Sequence, residues 1–180
     1  MGFVSLAELA ERLDAVHVAL QKDNKKRRNL RGADQKNARE WWQAWLFATI
    51  YSRVFGLVDM FVDISVPLDS DHDAVLRWKQ GSEYSFLKVQ LKELPPGTLS
   101  PIGLFELLAE KIGEPRDTRG VVLAVMLGRD SPQPSTVEIP DHKFDGLWLF
   151  GISSRKPLRG FVRGQDLTGR RAESGDVSLI

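Results

Sequence analysis

Three observations predict an α/β fold with a mixed β-sheet flanked by helices and one extra helix at the N-terminus. Apolar residues recur at helical spacing up to the mid-fifties, then alternate with a period of two from about Phe61. The run Val121-Val122-Leu123-Ala124-Val125-Met126-Leu127, bounded by Gly120 and Gly128, suits a central strand covered on both faces. The element order is then helix, helix, three strands, helix, strand, strand. An antiparallel hairpin followed by a right-handed helical crossover turns that order into a mixed sheet.

Each element has a local cause. Ser5 and Glu8 form a capping box, with Val4 and Leu9 placed for a hydrophobic staple. Leu6, Leu9, Leu13, Val16 and Leu20 then mark one helical stripe. A second helix starts at Asp34, an N-cap candidate, and runs into the fifties, with Gly56 at its end. Its segment Trp41-Trp42-Gln43-Ala44-Trp45-Leu46-Phe47 is apolar on nearly every side and predicts burial. Strands are expected over 61–66, 73–79 and 84–92. Ser100-Pro101 marks the start of a further helix that ends before Gly113. The prolines at 132, 134 and 140 predict a loop, and 147–152 one more strand. The remainder, rich in glycine and arginine, reads as an extension with a short apolar end at 177–180.

The chain of 180 residues is read as a single domain: an N-terminal helix and basic loop (1–33), a core (34–152) and a basic C-terminal extension (153–180). Without cysteine it has no disulfide or thiolate metal site, and a reducing, cytoplasmic setting is expected. No signal peptide and no membrane-length apolar run is visible, so no membrane partner is expected. The net charge of +1 conceals segregation. Residues 22–39 carry eight basic side chains against two acidic, and residues 153–171 six against one, leaving the rest at −10. Two basic segments that converge would form a phosphate-contacting surface; otherwise each is a solvated loop.

The chemistry centres on one hairpin. Gly81-Ser82 suits a two-residue type II′ turn, which makes Gln80 oppose Glu83 and gives paired positions that sum to 163. Asp73 is then opposite Gln90, and Asp71 opposite Lys92. One face holds Ala74, Leu76, Trp78, Leu87, Val89 and Leu91; the other holds Asp73, Val75, Arg77, Lys88, Gln90 and Lys92. Asp71 with Lys92 also reads as a plain cross-strand ion pair.

An acidic residue opening one strand, followed by Gln90-Leu91-Lys92 on the next, resembles the PD-(D/E)XK nucleases in their Gln variant. Their core of helix, three strands, helix and strand resembles the order from Asp34 to Leu127, about half the chain. The resemblance implies a restriction-endonuclease-like fold and metal-dependent hydrolysis of DNA phosphodiester bonds. It implies that Asp73 is the metal-binding carboxylate, that Gln90 occupies the second acidic position, and that the Leu91 carbonyl completes a Mg²⁺ or Mn²⁺ site. Lys92 is the implied catalytic lysine, and Glu40 on the second helix a further carboxylate. The family's preceding proline is replaced by His72. Gln90 removes one negative charge, which implies weak metal binding; the family includes both active members and members without catalysis.

Candidate contacts to nucleic acid are Lys25, Lys26, Arg27, Arg28, Arg31 and Lys88. The alternatives are a catalytically inactive nucleic-acid-binding module and a protein-interaction domain. The N-terminal helix is a candidate dimerising element, for a homodimer, or packs on the domain. Trp41, Trp42, Trp45, Trp78 and Trp148 are read as core residues in preference to base-stacking ones. His17, His72 and His142 are too scattered for a zinc site.

Overall fold

The chain enters through a two-residue strand, β1 (Val4–Ser5), and passes directly into α1 (Leu6–Lys22). The Glu8 N–H donates to Ser5 Oγ at 3.1 Å, which is the cap expected there. A computed structural model describes residues 2–22, 33–65, 70–94, 104–112, 118–127, 142–155, 158–166 and 171–179. The basic residues Lys25, Lys26, Arg27, Arg28 and Arg31, the Ser100-Pro101 helix start and the prolines at 132, 134 and 140 lie outside those residues.

The second helix, α2 (Ala33–Val54), ends as its glycine predicts. Gly56 has φ +61°, and the Leu57 N–H reaches back to the Ser52 carbonyl at 2.8 Å, closing a Schellman turn. Then follow β2 (Phe61–Asp63), β3 (Ala74–Gln80), β4 (Glu83–Leu94), α3 (Leu104–Ile112), β5 (Val121–Leu127), β6 (Gly146–Arg155), β7 (Leu158–Asp166) and β8 (Arg171–Ser178). The eight strands form one sheet in chain order. β4, β5 and β6 are mutually parallel, and every other neighbouring pair is antiparallel. The sheet is therefore mixed, as expected, and all seven residues of β5 are buried.

Two apolar layers follow from the pleat. On the first face, Leu87, Val89 and Leu91 of β4 join Val122 and Ala124 of β5 and the α2 residues Phe47, Ile50 and Tyr51. On the second face, Leu94 joins Val121, Leu123 and Val125 of β5 and Leu108 of α3. Helix α1 packs against the first layer through Leu9, which is fully buried, and Leu13. Trp78 and Trp148 are buried in that layer, and Trp41, Trp42 and Trp45 pack at its margin. Tyr51 links the two buried indoles, with ring centroids 6.2 Å from Trp78 and 5.4 Å from Trp148.

The C-terminal region departs from its reading as an extension. Residues 158–166 and 171–178 are strands that extend the sheet. Their glycines, which look like loop punctuation, are sites of close approach. A Cβ on Gly160 would stand 2.6 Å from Ile50 Cδ1, so α2 lies directly on this strand. Gly164 has φ +146°, and a Cβ there would meet the Leu147 carbonyl oxygen at 1.9 Å. Gly164→Ala is expected to lower the free energy of unfolding by about 2 kcal/mol or more. Gly2→Ala, with open space around it, is expected to change it by less than about 0.5 kcal/mol. Urea denaturation of both variants measures the contrast.

Candidate functional site

The β3–β4 hairpin keeps the predicted register. Seven pairs, from Ala74↔Val89 to Gln80↔Glu83, all sum to 163. Gly81 has φ +64°, and Ser82 is not among the non-glycine residues at positive φ, as a type II′ turn requires. Ala74, Leu76, Trp78, Leu87, Val89 and Leu91 are buried on the first face, as their alternation predicts.

Asp73 lies at the point where this ladder stops. Its N–H donates to the Val89 carbonyl at 2.9 Å, one residue out of step with the pairs beside it. Its carboxylate then takes the place of the next backbone acceptor: Leu91 N–H donates to Asp73 Oδ2 at 2.7 Å. A short bond to an ionised acceptor is among the stronger hydrogen bonds available to a backbone amide. The carboxylate expected opposite Gln90 is thus fixed on the peptide one residue further along. In an extended strand a residue's N–H and C=O leave on the same side. The Leu91 carbonyl therefore leaves β4 on the side where the Asp73 carboxylate sits.

Gln90 and Lys92 pair with Leu123 and Val125 of β5, which places their side chains on the second face, the side of Leu94 and α3. Gln90 is 4% exposed and Lys92 is half-buried. Lys88, two residues before Gln90 on the same face, is exposed. The β3–β4 register ends at Ala74↔Val89, so Asp71 lies beyond the paired part of the hairpin. Its Oδ1 lies 2.6 Å from His72 Nδ1. That hydrogen bond, opposed by partial burial and helped by the charges of His72 and Lys88, holds the Asp71 carboxyl below the usual carboxylate range.

Glu40 belongs to α2, whose layer covers the first face, so the sheet separates its helix from the Gln90 and Lys92 side chains. The first face carries its own polar contact at this end of β4. Gln43 Nε2 donates to Glu93 Oε2 at 2.9 Å, and Arg39 Nε lies 3.7 Å from the same oxygen. Sequence reasoning overlooked this group, although Gln43 as the polar member of an apolar helical run was a signal for it. Arg39 closes the 22–39 basic run, so one end of that run reaches the carboxyl end of β4. Arg155 and Arg159, at the β6–β7 turn, lie at the same end of the sheet two strands away, whereas Arg171 pairs with Gln165 toward the opposite end.

The oxygen donors around the β4 segment are the Asp73 carboxylate, the Leu91 carbonyl and the Gln90 amide. An all-oxygen set with few protein ligands suits a magnesium-class ion that keeps most of its waters. Among the described residues no group of three or more His, Cys, Asp or Glu side chains is placed to hold a metal.

No protein-family model, curated protein or solved structure matches the chain. No helix among the described residues is long and apolar enough to cross a membrane.

The Leu91–Asp73 bond also carries structural load. Asp73→Ala is expected to lower the unfolding free energy by about 2 kcal/mol, because it leaves the Leu91 N–H without its acceptor. Asp73→Asn, which keeps an oxygen, is expected to lose less. Equal stability of the two variants in chemical denaturation would contradict this assignment.

Proposed function

We propose that this protein is a metal-dependent endonuclease-like enzyme acting on DNA, of the PD-(D/E)XK type with Gln90 in the second acidic position. One observation carries the reading: the Asp73 carboxylate accepts a hydrogen bond from the Leu91 amide, between Gln90 and Lys92, just before β3 begins. Two features support it. The helix, three strands, helix and strand of α2, β2, β3, β4, α3 and β5 run in the order that the family's core has. Gln90, Leu91 and Lys92 also lie on the part of β4 that runs parallel to β5, from Gln90↔Leu123 to Lys92↔Val125.

In this reading Asp73, the Leu91 carbonyl and the Gln90 amide oxygen hold Mg²⁺ or Mn²⁺. The ion, when bound, makes its water a stronger nucleophile and offsets charge on the scissile phosphate. Lys92 supplies a fixed positive charge toward the oxygen that becomes negative in the transition state. Lys88 and the basic residues of the 25–31 run contact flanking phosphates, an interaction that weakens steeply with salt.

A second reading, a nucleic-acid-binding module without catalysis, is favoured by the near-complete burial of Gln90. Cleavage of supercoiled plasmid in Mg²⁺ or Mn²⁺ separates the two. The enzyme reading predicts nicking that falls by about 100-fold in Lys92→Ala and in Asp73→Ala. It further predicts that Gln90→Glu, by restoring a charge, tightens Mn²⁺ binding in calorimetry by about tenfold. Nicking that persists in both alanine variants, or Mn²⁺ affinity untouched by Gln90→Glu, contradicts it.

A further inference from the structure

The amino end of β4 displays a group of side chains that the metal-site reading leaves unused. Tyr84 is 53% exposed and Phe86 58% exposed, and with Val58 they are the large hydrophobic side chains left open among the described residues. Both belong to the second face of the sheet, on the same edge of the pleat as Lys88, Gln90 and Lys92. The register runs Phe61↔Arg77↔Phe86 across three strands, so the two rings flank an arginine.

Arg77 is enclosed by rings. Its guanidinium carbon lies 4.4 Å from the centroid of Phe3, 4.7 Å from Phe61 and 4.8 Å from Tyr84. Its Nε is buried with no hydrogen-bond partner among the described residues, and the three rings stack about the guanidinium. Phe3 and Phe86 are also in contact, with centroids 6.0 Å apart. The result is a set of rings held in place by one planar cation, with the outer surfaces of Tyr84 and Phe86 open to solvent.

The exposed charged side chains beside the rings on this face are basic, whereas the carboxylates Asp63 and Asp71 are half-buried. Lys79, paired with Tyr84, and Lys88 are exposed on this face, with Lys92 further along. The nearby carboxylates are engaged: Asp63 accepts from the N–H and Oγ of Ser65, and Asp71 is held by His72. Same-face residues of a strand stand roughly 7 Å apart, so Tyr84, Phe86, Lys88, Gln90 and Lys92 form a line from rings to cations.

We propose that this surface is a stacking platform for unpaired DNA bases, with Tyr84 and Phe86 as the rings that receive them. The sugar–phosphate backbone then follows Lys88 toward Asp73 and Lys92. Open π-faces with adjacent cations suit a polyanion whose bases are splayed out, and a duplex keeps those faces hidden. The choice of DNA rests on the function proposed above. The strand would enter at the hairpin tip and reach the ladder end, so the preferred substrate is single-stranded or a junction with an unpaired arm.

Fluorescence anisotropy with labelled oligothymidylate in EDTA tests this without any cleavage step. The wild type is expected to bind it more tightly than the corresponding duplex. Tyr84→Ala and Phe86→Ala are each expected to weaken binding about tenfold, and Tyr84→Trp to retain it. Both sites are exposed, and circular dichroism checks that the variants fold. Several results overturn the proposal: no binding, equal binding of duplex, tighter binding of oligouridylate, or affinity unchanged in both alanine variants. A wild-type dimer in sedimentation velocity that both alanine variants dissolve overturns it too, because the rings then serve a second copy of the chain. Plasmid cleavage that fails while oligothymidylate binding stays ring-dependent removes the catalytic reading alone. Cleavage that persists with ring-independent binding removes this proposal alone.

Discussion

The hydrogen bond from the Leu91 N–H to the Asp73 carboxylate sits where two demands on β4 meet. β4 is antiparallel to β3 on one side and parallel to β5 on the other, and β5 continues alongside it to Leu94↔Leu127. β3 begins at Ala74, so among the described residues the last part of β4 has a paired strand on one side only. A buried-edge amide without an acceptor costs free energy on the scale of a lost hydrogen bond. The chain meets that need with a side chain, and the carboxylate that does so is thereby fixed in space. The same departure of β3 that creates the need leaves Leu91 beyond the last β3–β4 ladder pair.

Everything else that positions the site follows from which face each residue takes. The two-residue turn at Gly81 and Ser82 sets the register, and a slip of one residue would exchange the two faces along the whole hairpin. With the register as it stands, Leu87, Val89 and Leu91 enter the α2 layer and Lys88, Gln90 and Lys92 take the other side. Helix α2 is held on its side by large contacts: Phe47 against Phe150, and Ile50 against the bare backbone of Gly160. This is why Gln43 and Glu93 belong to one polar group while Gln90 and Lys92 take the other face, although Lys92 and Glu93 are adjacent in sequence. The exposed rings at the other end of β4 are a consequence of the same alternation.

Much of this was legible in the sequence for identifiable reasons. Capping at Ser5, the glycine end of α2 and the fully apolar β5 each depend on a few neighbouring residues. The hairpin register depends only on its turn, so it could be counted from Gln80 and Glu83. What was illegible depends on tertiary approach. Gly160 and Gly164 look like turn residues until Ile50 and the Leu147 carbonyl are seen pressed against them, and so β7 and β8 were missed. The slip at Asp73 is a departure from the ladder that arithmetic on the turn cannot foresee. Arg77 was placed on the right face, but its enclosure by Phe3, Phe61 and Tyr84 joins residues far apart in the chain.

The central claim is that a hard cation docks at the end of the β3–β4 ladder, against Asp73 and the Leu91 carbonyl. Titrating Mn²⁺ into isotopically labelled protein and following paramagnetic broadening of backbone amides tests it most directly, because broadening falls steeply with distance from the ion. The account predicts that Asp73, Gln90, Leu91 and Lys92 broaden first, and that Asp73→Ala removes the effect at the other three. Broadening that begins instead around Arg39, Gln43 and Glu93, or that survives Asp73→Ala, would contradict it.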